Sequence, residues 1–156
     1  MREIAVSCGI VWKDMDILCC LRPADKEQGG WYEFPGGKLE AGETPQMALC
    51  RELQEELGLE VRHCSLYRTL RHVYPKEDLA VLLYFFHVTD FAGSPRGLEG
   101  QHFMWTRYDR ARELPFLAAN RELLANLSLP CQDQAGERVQ ELSPQGVGIH
   151  AGNNLR

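Results

Sequence analysis

Between Gly37 and Leu59 the chain reads GKLEAGETPQMALCRELQEELGL, and no other stretch limits what it can fold into so tightly. Thr44 or Glu43 begins a helix here. Pro45 suits the first turn, where its missing N–H would go unpaired anyway, and Gly58 ends the helix in a left-handed cap. Successive helical residues advance by about 100°. Glu52, Glu55 and Glu56 therefore share an arc of roughly 100° at the i, i+3, i+4 spacing. Met47, Cys50, Leu53 and Leu57 gather on the other side. One face packs while the other concentrates carboxylates. Such neighbours repel by a few tenths of a kcal/mol per exposed pair, and hard divalent cations with oxygen ligands relieve that repulsion.

An isolated run of glutamates is usually a solvated helix face, here supported by Arg51. The upstream loop changes the balance. Glu33-Phe34-Pro35-Gly36-Gly37-Lys38 sets a proline turn and two glycines directly before the helix. Glycine lets backbone approach a phosphate or metal closely and permits positive φ. A turn alone is only a turn; joined to a carboxylate helix at this spacing it marks a site.

A chain of 156 residues with 44% apolar content suffices for one domain with a proper core. The net charge of −5 and the lack of a basic patch exclude a nucleic-acid polymer or an anionic membrane as the expected partner. A nucleotide bridged by a cation stays compatible with an acidic protein. The N-terminus carries Glu3 and an apolar run too short for a signal sequence, and nothing reaches the length of a membrane span. A cytoplasmic monomer is expected. Cys8, Cys19, Cys20, Cys50, Cys64 and Cys131 include no C-x-x-C and sit mostly in apolar patterns. They read as small buried hydrophobes, not as a zinc site or a nucleophile.

The apolar patterning predicts a hairpin from Ile4–Trp12 and Ile17–Arg22, a polar loop over 23–33, and a strand in 61–73. Leu79–Val88, LAVLLYFFHV, is almost continuously apolar, which predicts a strand buried on both faces and helices on both sides of a sheet. Another strand is expected near Phe103–Thr106, and a helix near Asn120–Leu127 with Leu123, Leu124 and Leu127 inward. From residue 130 the composition turns polar and Gly-rich. We therefore expect one domain over 1–129 and a flexible C-terminal tail over 130–156.

Gly37, Glu43, Arg51, Glu52, Leu53, Glu55, Glu56, Gly58 and Leu59 resemble, without one departure, the signature segment of the Nudix hydrolase family. By average residue usage such a set would match by chance with odds on the order of one in ten million. The resemblance implies an α/β fold, the Nudix α/β/α sandwich with a mixed β-sheet between helices. Within the family the chain is most similar to the bacterial MutT type, from the N-terminus to about Leu129. Arg22 in LCCLRPA, Phe34 in WYEFPGGK, Glu99 in GLEGQ and Asn120 in LPFLAANREL carry that similarity. Taken singly, these residues have ordinary readings as a surface cation, a core ring, a loop acid and a helix N-cap.

The MutT resemblance implies hydrolysis of a nucleoside triphosphate to the monophosphate and pyrophosphate, with Mg²⁺ as cofactor and Mn²⁺ as a substitute. The implied substrates are 8-oxo-dGTP and 8-oxo-GTP. On this chain the Gly36 carbonyl, Glu52, Glu55, Glu56 and Glu99 would hold metal, and Glu99 or Glu52 would take a proton from the attacking water. Arg51 would orient Glu43 and the other carboxylates. Gly37 and Lys38 would face phosphate, Arg22 the nucleotide, and Phe34 and Asn120 the base. The turn at Lys76-Glu77 departs from the MutT loop, where an acid precedes a base, so base selectivity stays open. A CTP or modified-dCTP pyrophosphohydrolase is the nearest alternative. A non-catalytic nucleotide-binding regulator is the alternative of another class, and the intact set of glutamates argues against it.

Overall fold

The computed structural model describes residues 1–25, 29–130 and the backbone of 137–138. Eight strands and two α-helices follow one another along these residues: β1 (Arg2–Lys13), β2 (Asp16–Leu21), β3 (Tyr32–Glu33), β4 (Gly36–Lys38), α1 (Pro45–Leu57), β5 (Glu60–Tyr74), β6 (Leu79–Ala92), β7 (His102–Arg107), α2 (Ala118–Ala125) and β8 (Glu137–Arg138). The strands join in the order β3-β2-β1-β6-β5-β8, with β4 paired to β1 and β7 to β2. β1 runs parallel to β6 from Arg2↔Leu79 to Val11↔Val88, while β5 and β6 are antiparallel. The sheet is therefore mixed, as expected.

Alternation along β6 explains why its sequence is apolar throughout. Val81, Leu83 and Phe85 join one core with Ile10, Trp12 and the α2 residues Ala119, Leu123 and Leu124. Phe86 and Val88 join the other with Val11 and the α1 residues Leu49, Leu53 and Leu57. Each face of the sheet thus buries a helix stripe, and the layers are α/β/α.

Several boundaries differ from the sequence reading. β5 extends one residue beyond the expected 61–73 at each end, and β6 starts at Leu79 as expected but runs on to Ala92, because their mutual pairing extends to Glu60↔Ala92. α2 begins at Ala118, with Leu117 in the cap position and no side-chain cap bond. Asn120 is therefore inside the first turn and is not the helix N-cap. Leu127 lies beyond the helix yet still packs on the α2-side core. Cys8, Cys19, Cys20 and Cys50 are free and buried, Cys64 is buried, and Cys131 lies outside the described residues. The expected flexible tail falls mostly outside them as well; within it, Glu137–Arg138 pairs with His63 and Cys64 of β5.

Candidate active site

Three pieces of backbone carry the candidate metal-holding residues: the turn running from β3 into β4, the helix α1, and the loop over 93–101. The helix is fixed at both ends as its sequence dictates. Thr44 Oγ1 accepts from the Met47 N–H at 3.2 Å, Pro45 occupies the first turn, and Gly58 adopts a left-handed φ of 70°. A helix C-terminus leaves carbonyls without intrahelical partners. Here the N–H of Leu98 donates to Glu56 O and that of Arg96 to Leu57 O, both at 2.9 Å. The loop that bears Glu99 is thereby fastened to the helix that bears Glu52, Glu55 and Glu56.

The two glycines of the turn are required sterically. A Cβ at Gly36 would run into the Ser7 carbonyl of β1, and one at Gly37 would run into the Glu52 carboxylate. Register with β1 at Cys8↔Gly36 and Ser7↔Gly37 holds the turn against α1. From it the Gly36 N–H donates to Glu56 Oε1 at 3.0 Å.

Arg51 organises the exposed face of α1. Its guanidinium donates twice to Glu43, at 2.6 and 2.9 Å, and also to Glu52 at 2.8 Å, Glu55 at 3.1 Å and the Lys38 carbonyl at 3.0 Å. A fork that meets both oxygens of one carboxylate is a strong, directional pair. The Arg51 bond holds the Glu43 carboxyl below its usual range, against some burial, with help from the Glu40 N–H. The Lys38 side chain is exposed on β4.

Glu56 is in the opposite situation. Burial pushes its carboxyl up to about 8, and the nearby Glu52, Glu33 and Glu99 add to this, while the Gly36 N–H opposes it. Glu56, Glu33, Glu99, Arg22, Pro35 and Gln101 line a cavity of about 180 Å³. Arg22 Nη1 meets both oxygens of Glu33, at 3.2 and 3.3 Å, and Glu33 is raised by burial although Arg22 opposes the rise. Among the described residues no three His, Cys, Asp or Glu side chains converge closely enough to enclose an ion as they stand. The donor chemistry nonetheless fits one. All the groups are oxygens, and Glu56 is crowded by like charges that a hard cation would offset.

Phe34 is buried against Phe116 and Phe85. Its N–H donates to Asn120 Oδ1 at 2.7 Å, which brings together two candidates 86 residues apart in the chain. The structure thus gathers Arg22, Glu56 and Glu99 around one cavity, Glu43, Glu52, Glu55 and Lys38 around Arg51, and Phe34 with Asn120. Sequence reasoning missed Glu33 and Gln101. Glu33 stands two residues before Pro35 in the turn, and Gln101 two after Glu99; proximity to recognised positions was the only available signal.

A model of the NUDIX domain matches residues 1–127. The chain belongs to the NUDIX family. It is 37% identical over 128 residues to an Escherichia coli 8-oxo-dGTP diphosphatase, covering 81% of this chain and 98% of the relative. It is 36% identical over 124 residues to an Escherichia coli CTP pyrophosphohydrolase, covering 80% and 90%. Among solved structures, that of the Escherichia coli ORF135 protein superposes with a TM-score of 0.72 at 34% identity, over 80% of this chain and 88% of the other. A MutT structure from a study of the Aliivibrio salmonicida and Vibrio cholerae proteins gives 0.67 at 33%, over 80% and 95%. This NUDIX chain is accordingly a hydrolase of a family that generally needs a divalent metal. No helix among its described residues is long and apolar enough to cross a membrane.

Proposed function

We propose that this NUDIX hydrolase cleaves nucleoside triphosphates to the monophosphate and pyrophosphate with Mg²⁺, and that 8-oxo-dGTP and 8-oxo-GTP are its preferred substrates. It would clear oxidised guanine from the nucleotide pool as a cytoplasmic monomer, with Mn²⁺ as a working substitute. The observation that carries the base preference is the bond from the Phe34 N–H to Asn120 Oδ1 at 2.7 Å. A backbone N–H can only donate, so this contact fixes which end of the amide is oxygen. Oδ1 keeps a second lone pair and the amide nitrogen keeps its donors. Guanine offers two acceptors, O6 and N7, on its Hoogsteen edge, and oxidation at C8 turns N7 into a donor. An amide of fixed orientation can donate to O6 and accept from N7–H. Against normal guanine one acceptor would face another, and a mismatched buried polar group discriminates strongly.

Phosphoryl transfer asks mainly for positioning and charge neutralisation. Glu52, Glu55, Glu56, Glu99 and the Gly36 carbonyl would hold the metal, which supplies neutralisation of the triphosphate. Arg51 keeps Glu43, Glu52 and Glu55 in place. Arg22 and Lys38 contact the triphosphate, and Gly37 lets the backbone approach it. Glu52 already has an oxygen engaged by Arg51, whereas Glu99 faces the cavity from an exposed loop. That favours Glu99 as the group that takes the proton from water.

The similarity to the Escherichia coli CTP pyrophosphohydrolase favours a second reading, in which cytosine nucleotides are the substrates. One panel separates the two: kcat/KM with Mg²⁺ for 8-oxo-dGTP, dGTP, CTP and 5-methyl-dCTP, with pyrophosphate measured as product. A higher value for a cytosine nucleotide than for 8-oxo-dGTP refutes the oxidised-guanine assignment. Absence of turnover on every member refutes hydrolysis of triphosphates and leaves a nucleotide-binding regulator.

A further inference from the structure

The side chain of Gln101 touches both halves of the carboxylate site. Its Oε1 accepts from the Glu99 N–H at 3.0 Å. That N–H can only donate, so the amide orientation is determined and the other end must be the NH₂ group. This Nε2 faces Glu56 Oε2 at 3.4 Å, the outer edge of bonding distance. The remaining oxygen of Glu56 accepts from Gly36 at 3.0 Å. The Glu56 carboxylate is thus bracketed by a donor from the β3–β4 turn and a donor from the loop that carries Glu99.

We propose that Gln101 is a positioning residue of this site, a carboxamide strap that sets the separation of Glu99 from Glu56 and aims the Glu56 carboxylate at the cation. It rests on the metal-dependent reading above. The physical argument concerns the loop. Residues 96–100 are exposed, so little apolar burial holds Glu99 in place. Two backbone bonds fasten Arg96 and Leu98 to the end of α1, and both lie before Glu99. Past Glu99 the chain turns through Gly100 at a φ of 83° before β7 begins at His102. Gln101 ties down the downstream side of Glu99. Being half-buried in the cavity wall, it does so from a position a solvated side chain could not hold. Hydrogen-bonded partners of ligating carboxylates fix ligand orientation, and their loss weakens metal affinity or activity by about 10- to 100-fold.

The test uses Gln101→Met, which keeps the volume and removes both polar contacts, beside Gln101→Ala in the full chain. Mn²⁺ binding is read by titration of the free protein, and hydrogen exchange of the Glu99 amide is read without metal. Both variants should bind Mn²⁺ roughly tenfold or more weakly, exchange the Glu99 amide faster, and lose kcat more than they raise KM for the nucleotide. A wild-type value for either the Mn²⁺ affinity or the exchange rate in Gln101→Met overturns the proposal, whatever Gln101→Ala does. If Gln101→Met does not fold, Gln101→Ala decides on the same two readouts. Failure of the wild-type chain to hydrolyse any triphosphate would count against the functional reading, while these two measurements still decide on Gln101.

Discussion

Replacing Glu56 by glutamine should abolish turnover and, without metal, make the protein more stable at alkaline pH. Glutamine keeps the shape and an oxygen for the Gly36 N–H, which donates to Glu56 Oε1 at 3.0 Å, but it cannot ionise. The Glu56 carboxyl titrates near 8 instead of near 4.5, chiefly through burial and then through Glu52, Glu33 and Glu99. Each pH unit of displacement corresponds to about 1.4 kcal/mol, so ionising Glu56 in the folded state costs on the order of 5 kcal/mol. The sign follows from linkage. A carboxyl raised by folding leaves stability intact below its unfolded value, and that stability is lost as pH rises through the folded value near 8. For a chain of this size 1 kcal/mol moves Tm by about 2–4 °C. In EDTA the wild-type Tm should fall on the order of 10 °C more than that of Glu56→Gln between pH 5 and 9. Differential scanning fluorimetry across that range, paired with a pyrophosphate-release assay, reads both effects. Parallel Tm profiles would refute the electrostatic account of Glu56, and unchanged kcat would refute its place in the site.

Asn120→Ala should cost about 1–3 kcal/mol in a urea melt, because the buried Phe34 N–H loses its acceptor. It should also collapse the ratio of kcat/KM for 8-oxo-dGTP over dGTP; loss of stability with the ratio intact would leave Asn120 a purely structural residue. Gly37→Ala should lower kcat by about a hundredfold, since a displacement near 1 Å in a catalytic site has that effect and the new Cβ would collide with Glu52, one of the proposed metal-holding carboxylates; wild-type kcat would contradict it. Glu55→Gln should also nearly abolish hydrolysis while its Tm holds, because Glu55 is exposed. Truncation after Pro130 should leave kcat/KM within about twofold, and a tenfold loss would show that the tail serves the site.

Much of α1 could be read from local rules. Thr44, Pro45 and Gly58 act within one turn of where they stand, and the arc of Glu52, Glu55 and Glu56 follows from helical spacing alone. The double-sided burial of β6 was equally legible, because a strand covered on both faces favours apolar residues throughout, and its buried His87 is accommodated by accepting from Trp12 Nε1 at 2.9 Å. What stayed hidden depends on contacts between distant segments. Asn120 has the composition of an N-cap, yet tertiary packing starts α2 two residues earlier and turns its amide to Phe34. Gln46 is a polar residue in the first turn of α1 but is fully buried, with neither side-chain polar atom bonded. Glu33 and Gln101 carry no distinguishing local pattern, and it is the fold that places them beside Glu56.

The buried cysteines bear on how the protein endures the conditions that generate oxidised nucleotides. Peroxide attacks the thiolate, not the thiol. Burial pushes Cys19 and Cys50 up to about 12 and raises Cys8 and Cys20 as well. At neutral pH the reactive form of Cys19 or Cys50 is then on the order of one molecule in 100,000. Cys8, Cys19, Cys20 and Cys50 are also at most 9% exposed. The same burial that fills the two cores makes these sulfurs poor targets, so oxidative stress that damages guanine should leave them reduced.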